Sequence, residues 1–336
     1  MPRSCLVLFS GGLDSILACK VLQEQGIVVR GLKFISPFFS YDLIDDQRQR
    51  SYKEKIFQKY GIPVEVVDIT PEYLKMVVAP KHGYGRYANP CVDCKILMVK
   101  KAVSLLDEFG ASFVATGEVL GQRPMSQRRD TLRIIERDSG ADGILLRPLS
   151  AKLLKETKPE IAGVVDRSRL LAITGRSRKE QIRLSRHFGI TDYPAPAGGC
   201  VLADPILSKR FRKIFSLWPD FDAADCILAQ TGRHFLMPGG SWLVVGRNKA
   251  ENEAMETLLK DGDILLKART CPGPLCILRR YKKGGDLVYS ARICARYAKV
   301  SQLPVEIEAR YKDGTICKKV QVQDIPDDRQ IQGLMF

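Results

Sequence analysis

Histidine and tryptophan are scarce in this sequence of 336 residues, which contains three histidines and two tryptophans. A histidine-rich zinc site or a histidine-based catalytic triad is therefore not expected. Long apolar runs are also missing, because the longest, such as residues 5–9, fall far short of the roughly 20 residues that span a bilayer. Gly11, Gly12 and Asp14 interrupt the first apolar run too early for a signal peptide. We therefore predict a cytoplasmic protein that makes no membrane contact.

Acidic residues are the minority charge, with 38 Asp and Glu against 53 Lys and Arg, for a formal net charge of +15. Such a surplus favours a polyanionic partner, since lysine and arginine release counterions when they contact phosphates. On charge alone, a merely basic surface is the alternative. The ten cysteines, in a chain without a secretion signal, indicate reduced thiols, metal ligation or catalysis before structural disulfides.

Apolar strands and amphipathic helices alternate in the first part of the chain. We predict strands at 5–9, 28–34, 64–69, 113–116 and 145–148, and helices at 14–25, 45–60, 91–109, 153–165 and 178–188, with another beginning at Pro71. This order predicts an α/β fold with a doubly wound parallel sheet, whose ligand site lies at the carboxyl ends of the strands. Segment 118–143 is polar and rich in arginine. Residues 193–200 contain two prolines and two glycines and are predicted to form a loop.

The pattern changes beyond about residue 215 to short alternating stretches separated by turn residues. These stretches are 241–246, 263–268, 275–279, 286–291 and 305–311. They predict a smaller, β-rich α+β domain. We expect the first domain to cover residues 1–205 and the second to cover residues 206–336.

A glycine-rich loop, LFSGGLDS at residues 8–15, connects the first strand directly to the first helix. The two glycines let the backbone approach a phosphate, and the following helix start offers unpaired N–H groups to an anion. Ser10 and Ser15 add hydroxyl donors, and Asp14 can hold a magnesium ion that bridges phosphates. No lysine follows the glycines, so this is not a kinase-type phosphate loop. A plain turn between strand and helix is the structural alternative.

Two cysteines, Cys91 and Cys94, lie three residues apart at a predicted helix start, with Asn89 as N-cap and Pro90 in the first turn. We expect the helix dipole to lower the pKa of both thiols. They suit a metal, a cluster or a nucleophile, and a redox pair, a zinc site or core cysteines remain alternatives. Cys200 follows the proline- and glycine-rich loop. A four-cysteine zinc site has little support, because there is no second CxxC.

The SGGLDS string resembles the PP-loop of the ATP pyrophosphatases, which cleave ATP between its α and β phosphates. The resemblance implies that Ser10, Gly11, Gly12, Asp14 and Ser15 grip the departing pyrophosphate together with Mg²⁺. Members of that superfamily adenylate a carbonyl oxygen of the substrate. Adenylation converts an oxygen that leaves poorly into AMP, which leaves readily.

The loop, the NPCxxC helix and a distant cysteine together resemble the PP-loop tRNA thiolases. In the cluster-dependent members three cysteines hold a [4Fe-4S] cluster, which implies Cys91, Cys94 and Cys200 as ligands here. A persulfide mechanism, with Cys94 and Cys200 as the working pair, is the competing assignment. The implied catalytic residues are Asp14, Cys94 and Cys200, and the implied sulfur donor is sulfide or a cysteine desulfurase.

Residues 115–122, followed by Ser126 and Gln127, are similar to a loop of the tRNA 4-thiouridine synthases. This similarity implies that Gly117 and Gln122 also contact ATP. The surroundings of the NPCxxC motif are closer to the 2-thiouridine synthases, so thiolation at C2 and at C4 both remain open. We expect that the N-terminal RNA-binding domains of 4-thiouridine synthases and a rhodanese-like sulfur carrier are absent.

Residues 242–252 resemble the core motif of NFACT-R-type domains, which are associated with RNA. The resemblance implies RNA contacts from Arg247 and Lys249, and Arg123, Arg128 and Arg129 are a second candidate group. The alternative is that the basic residues of the second domain form only a solvated, charged surface.

We therefore predict an ATP-dependent tRNA sulfurtransferase that adenylates a uridine carbonyl and then inserts sulfur. ATP, Mg²⁺ and a [4Fe-4S] cluster are the expected cofactors, tRNA and a sulfur donor are the expected partners, and a homodimer is allowed. One alternative is a PP-loop enzyme that activates a small-molecule carbonyl or carboxylate for amidation or sulfuration. Another is a non-catalytic RNA-binding or iron–sulfur protein on the same fold.

Overall fold

A computed structural model describes residues 3–195, 200–282 and 284–336. The chain divides into two compact units, Met1–Asp204 and Pro205–Phe336. The predicted loop falls partly outside the described residues, because positions 196–199 are not among them. Within the described ranges, every helix is too short or too polar to cross a bilayer.

A parallel sheet of five strands forms the centre of the first unit. Its strands are β1 (Ser4–Leu8), β2 (Val28–Ile35), β3 (Val64–Asp68), β4 (Phe113–Thr116) and β5 (Leu145–Leu146). They lie in the order β3-β2-β1-β4-β5, and each neighbouring pair is parallel. The doubly wound sheet predicted from sequence is therefore confirmed. The order reverses between β1 and β4, and ligands of such folds bind at the carboxyl ends of the strands at this point.

Helices connect the strands of this sheet. They are α1 (Leu13–Gln23), α2 (Asp46–Tyr60), α3 (Thr70–Val78), α4 (Cys91–Ser104), α5 (Arg129–Asp138), α6 (Lys158–Ile161) and α7 (Lys179–His187). Local signals fix several ends: the Asp45 carboxylate caps α2, and Gly61 ends it in the left-handed region at φ +62°. Apolar residues of β1 and α1, such as Val7, Ile16 and Leu17, are fully buried in the core.

The second unit is built on an antiparallel sheet of six strands in the order β11-β10-β8-β9-β7-β6. The strands are β6 (Arg233–Leu236), β7 (Trp242–Val245), β8 (Ile264–Ala268), β9 (Cys276–Arg279), β10 (Val305–Arg310) and β11 (Ile316–Val322). The helices are α8 (Pro205–Leu217), α9 (Ala223–Leu228), α10 (Lys249–Glu256), α11 (Asp286–Tyr297) and α12 (Asp328–Gln332). The predicted α+β class of this domain is confirmed.

Two predicted elements are wrong. The helix expected at 153–165 contains only the short α6, because Glu160 accepts hydrogen bonds from the backbone N–H and hydroxyl of Thr157 and fixes a new helix start there. Gly163, at φ +66°, then closes the turn. The strand expected at 286–291 is the first half of α11, and its buried residues follow a helical period once the window extends to Cys294.

Candidate active site

The loop after β1 is closed by hydrogen bonds among its own serines and glycines. The Ser10 hydroxyl accepts from the backbone N–H of Gly12 at 3.2 Å and lies 3.2 Å from the Ser15 hydroxyl. Ser15 donates to the Gly12 carbonyl at 2.7 Å. Gly11 has φ +83°, a conformation that side chains with a Cβ rarely adopt. The loop thus turns tightly at the start of α1, whose first N–H groups have no partner within the helix and can bind an anion.

The Asp14 carboxylate, in the first turn of α1, has one oxygen held and one free. Gln122 donates from Nε2 to Oδ2 of Asp14 at 2.9 Å, and Gln122 itself accepts from Gln181 at 3.3 Å. Oδ1 of Asp14 is buried and has no hydrogen-bond partner among the described residues. A buried, unpartnered carboxylate oxygen beside an anion-binding loop has the chemistry of a Mg²⁺ ligand. The donor set therefore fits the magnesium ion that the sequence predicts.

Gly117 follows β4 at the point where the strand order reverses. A Cβ at this position would lie 2.5 Å from the backbone carbon and oxygen of Asp14 and 2.6 Å from the backbone nitrogen of Ser15. Those distances are shorter than any normal contact, so only glycine lets the chain after β4 pass this close to α1. The start of α1 and the chain after β4 are therefore packed backbone against backbone at the point where the strand order reverses.

A pocket of about 410 Å³ opens beside this loop. Its lining brings together residues that are far apart in sequence: Ser10, Asp14 and Ser15 from the loop, Gly117 from the chain after β4, and the three cysteines Cys91, Cys94 and Cys200. The phosphate loop and the thiols therefore share one cavity. Arg123 lines it as well, whereas Gly11, Gly12 and Gln122 are not among its lining residues.

The two cysteines of the CxxC pair lie at the start of α4, which begins at Cys91. Pro90 occupies the cap position with no side-chain cap, so the expected arrangement of Asn89 as N-cap and Pro90 in the first turn is wrong by one residue. The Asn89 side chain instead lies beside the Cys91 thiol and stabilises its thiolate form.

Burial dominates the ionisation of all three thiols. Desolvation raises the pKa of Cys91, raises that of Cys94 to about 11 and raises that of Cys200 to about 12. The prediction that the helix start lowers these pKa values is therefore wrong. Lys95 and Arg123 act in the opposite direction on Cys91 without overcoming burial.

Tyr73 packs against this group of thiols. Its hydroxyl is buried and lies beside the Cys94 sulfur, where it favours the thiolate, although the two atoms do not have the geometry of a full hydrogen bond. Repulsion from a Cys91 thiolate also raises the pKa of Cys94, and repulsion from both of these thiolates raises the pKa of Cys200. A cation or a metal cluster would relieve that repulsion, because metals bind thiolates rather than thiols.

A single metal ion does not find a ready site in the described residues, where no three His, Cys, Asp or Glu side chains converge. The donor chemistry nevertheless fits an iron–sulfur cluster, which is held by cysteine thiolates bound to different iron atoms. Such a group does not require the three sulfur atoms to meet at one point. All ten cysteines are reduced.

Two lysines and one carboxylate of the pocket were not assigned from sequence. Lys33, in β2, donates from Nζ to the Ser10 carbonyl at 2.9 Å, and burial lowers the pKa of its ammonium. Glu118 is 4% exposed, and its Oε1 has no hydrogen-bond partner within the described ranges but lies 3.9 Å from Nζ of Lys95. The available sequence signal for Lys33 was a charged residue between Leu32 and Phe34 in a largely apolar strand, which also contains Arg30.

The predicted RNA-binding residues occupy different environments. Arg128 lies near Asp130 at 3.5 Å, and Arg129 begins α5 and is exposed. In the second unit, Arg247 donates to both carboxylate oxygens of Glu251, including Nε to Oε1 at 2.8 Å. The Arg247 side chain is about half exposed. Lys249 is 91% exposed and 3.7 Å from Glu253.

The first unit is thus a doubly wound α/β unit whose first strand leads into the SGGLDS loop, and an antiparallel α+β unit follows it in the same chain. Residues 3–158 match the family described as the tRNA methyl transferase HUP domain. Residues 232–334 match the family described as the NFACT protein RNA binding domain. These two matches confirm the resemblances predicted from sequence.

Individual relatives match over part of their length. A tRNA-specific 2-thiouridylase, MnmA, from Syntrophotalea carbinolica is 34% identical over 122 residues, which are 34% of this chain and 34% of that protein. A probable tRNA sulfurtransferase from Thermococcus kodakarensis is 28% identical over 144 residues, which are 43% of this chain and 36% of that protein. The chain thus spans about a third of the length of these relatives.

Among solved structures, a 4-thiouridine synthetase in complex with RNA and bound ATP is similar to this chain with a TM-score of 0.35. The sequence identity is 20%, and the match covers 56% of this chain and 51% of the other.

Proposed function

We propose that this protein is an ATP-dependent tRNA sulfurtransferase. The observation that carries the proposal is the shared pocket, in which the phosphate loop, the CxxC pair and the distant Cys200 face one cavity. The names of the relatives from Syntrophotalea carbinolica and Thermococcus kodakarensis support the same reaction class. A PP-loop enzyme acting on a small molecule needs the phosphate loop, but it has no need of an RNA-binding unit such as the one matched at residues 232–334.

The first step is adenylation of a uridine carbonyl. The carbonyl oxygen attacks the α-phosphate of ATP, the bond to the β-phosphate breaks, and the uridine loses its N3 proton. Ser10, Ser15 and the first N–H groups of α1 bind the departing pyrophosphate, and Oδ1 of Asp14 binds its Mg²⁺. Lys33 adds positive charge beside the loop. The free Oε1 of Glu118 is the acceptor that we assign to the N3 proton.

Sulfur then replaces AMP at the activated carbon. We propose that Cys91, Cys94 and Cys200 hold a [4Fe-4S] cluster, which supplies a site for the incoming sulfide when it is bound. The protein's own part is to keep these three thiols within the same cavity as the nucleotide and to shield the activated uridine from water. Burial in this pocket performs both tasks.

A second candidate for sulfur delivery is a persulfide. It is favoured by the finding that no three donors converge among the described residues. The terminal sulfur of a persulfide on Cys200 attacks the activated carbon, and AMP leaves. The Cys94 thiolate then attacks the remaining Cys200 sulfur, which releases the thiouridine and forms a disulfide. This route requires a cysteine desulfurase as donor and a thiol reductant.

We assign tRNA binding to both units, through Arg123, Arg128 and Arg129 in the first and through Arg247 and Lys249 in the second. The base that reacts must leave its stack to enter the pocket, as it does in other base-modifying enzymes. A cytoplasmic location and a homodimer stay predictions.

The test is the reaction itself, with anaerobically purified protein, ATP, Mg²⁺, sulfide and an unmodified tRNA transcript. We expect pyrophosphate release that tRNA stimulates, together with a thiouridine detected by nucleoside mass spectrometry. Glu118→Gln should lower the tRNA-stimulated rate at least ten-fold while tRNA binding is retained. Cys94→Ser should keep pyrophosphate release and lose the thiouridine.

Control reactions separate the alternatives. Iron content and brown colour that disappear in Cys91→Ala support the cluster, whereas full activity of Cys91→Ala with a desulfurase supports the persulfide. Pyrophosphate release that tRNA never stimulates, with any sulfur donor, would contradict the proposal.

A further inference from the structure

A second cavity, of about 710 Å³, lies in the first unit. It is bounded by α5, by β5 with the following Arg147, and by segment 151–161. Of the residues assigned to a site from sequence, it contains Arg129 alone. The cavity is therefore separate from the pocket that holds the thiols.

Each acidic side chain that lines this cavity pairs with an arginine. Glu136 pairs with Arg147 and Arg133, and Asp142 also pairs with Arg133. The two remaining acids, Glu156 and Glu160, both pair with Arg167. Three arginines thus serve four carboxylates, so each carboxylate has a partner although the four negative charges are not fully balanced.

Three cations of the same cavity remain without such a partner. Arg129, Lys155 and Lys158 are exposed, line the cavity and form no ion pair or side-chain hydrogen bond with any described residue. Lys155 and Lys158 help to lower the pKa of Asp142, so they lie near it, but they do not pair with it. Five cations and four carboxylates line the cavity, so its lining carries a formal net charge of +1. The three unpaired cations are the ones available to an anion.

The Arg147 side chain lies between this cavity and the first pocket. The Arg147 side chain is 1% exposed, and it donates from Nε to Oε2 of Glu118 at 3.2 Å while also binding Glu136. Glu118 lines the pocket with the phosphate loop, and Glu136 lines the second cavity. One buried guanidinium therefore separates the two sites. Arg123 in the first pocket and Arg129 in the second are six positions apart in sequence.

We propose that this second cavity binds backbone phosphates of the RNA whose base enters the first pocket. The inference rests on the proposed function. Lysine and arginine that contact phosphates position a nucleic acid without reading its sequence. Such contacts would fix the nucleotides beside the target base, so that the extruded uridine faces the phosphate loop. Inorganic phosphate or a free nucleotide has the same chemistry, and the experiment distinguishes these sources.

The test compares two triple variants of the full-length protein. Arg129→Ala, Lys155→Ala and Lys158→Ala together remove the three unpaired cations. Arg50→Ala, Lys55→Ala and Lys100→Ala remove the same charge from exposed positions of the first unit outside both cavities. Binding of an unmodified tRNA transcript is measured by fluorescence anisotropy between about 50 and 300 mM KCl, because phosphate contacts determine the salt dependence.

We expect the cavity variant to bind tRNA at least ten-fold more weakly at about 100 mM KCl. We also expect its slope of log affinity against log salt to decrease by about two units, since each phosphate contact contributes roughly 0.7 to 0.9. The control triple should change both quantities far less. Thermal unfolding of all three proteins serves as the folding control.

Equal tRNA affinity and salt slope in the two triple variants would overturn the inference. So would a cavity variant that loses binding of inorganic phosphate, measured by calorimetry, but keeps its affinity for tRNA. If the unmutated protein itself does not bind tRNA, the proposed function fails along with this inference. If it binds tRNA and forms thiouridine while the triples behave alike, only this inference fails.

Discussion

Gln122 holds one oxygen of Asp14 and leaves the other free. Its Nε2 donates to Oδ2 at 2.9 Å, and Oδ1 is buried with no hydrogen-bond partner among the described residues. The two residues are 108 positions apart and meet because β1 and β4 are neighbours in the sheet. A carboxylate oriented in this way is prepared to bind a cation, and several of our predictions depend on that arrangement.

Removing the charge of Asp14 should abolish ATP turnover. Asp14→Asn keeps the size of the side chain and its contact with Gln122, but it provides a much weaker ligand for Mg²⁺. We expect pyrophosphate release to decrease at least about 10²-fold, as it does when one electrostatic stabiliser is removed from an active site. The assay is pyrophosphate release with tRNA present, and thermal unfolding of the variant serves as the folding control. Activity within three-fold of the unmutated protein would exclude Asp14 from the reaction.

Adding a methyl group at Gly117 should displace the phosphate loop. The new Cβ would lie 2.5 Å from the backbone of Asp14, so Gly117→Ala must shift either the loop or the chain after β4. We expect the free energy of unfolding to decrease by about 1–3 kcal/mol, as in other overpacked sites, and ATP turnover to be lost. Gly333→Ala, where a Cβ would meet open space, is the matched control in urea denaturation. A Gly117→Ala protein as stable and active as that control would contradict the close approach.

The raised thiol pKa values predict slow alkylation at neutral pH. Because burial stabilises the protonated form, Cys94 and Cys200 should lose their protons only near pH 11 and pH 12. Thiolates, not thiols, react with iodoacetamide, so in the metal-free protein both should react far more slowly at pH 8 than in the urea-unfolded chain. The rate should rise as the pH approaches 11. Mass spectrometry of peptides gives the rate for each cysteine, and equal rates in the folded and unfolded proteins would contradict the burial of these thiols.

Glu251 should weaken RNA binding because its carboxylate forms an ion pair with the Arg247 guanidinium. The guanidinium of Arg247 donates to both oxygens of this carboxylate, so its charge is largely neutralised before RNA arrives. Glu251→Gln should therefore increase tRNA affinity several-fold and steepen its salt dependence. Glu256→Gln, on the same helix and exposed, controls for the loss of one negative charge. If both variants change affinity equally, or if the gain persists in the Arg247→Ala background, Arg247 does not contact RNA.

The sheet and its phosphate loop could be predicted because their signals are local. Most residues in each strand of the first unit are apolar, and the glycines and serines of the loop form the turn and the predicted anion site within eight residues. The helix α5 escaped prediction because only a narrow stripe that includes Leu132 and Ile135 is buried, inside a segment dominated by charge. The first half of α11 was predicted as a strand because the apolar residues within 286–291 fit the spacing of a strand and the spacing of a helix equally well.

The chemistry of the site depends on contacts that no local pattern records. A CxxC pair at a helix start predicts a lowered thiol pKa, yet the fold desolvates the half-buried Cys94, and this raises its pKa instead. The Arg147–Glu118 pair joins residues 29 positions apart and is visible only once β4 and β5 are adjacent. The roles of Gly117, Gln122 and the predicted RNA-binding arginines stay predictions until the variants are measured.

Nucleoside mass spectrometry of tRNA from cells that lack this protein gives the most direct test of tRNA thiolation. The account predicts that one 2-thio- or 4-thiouridine species disappears, returns when the unmutated protein is supplied, and does not return with Asp14→Asn or Cys94→Ser. An unchanged set of thionucleosides in the deletion strain would contradict it.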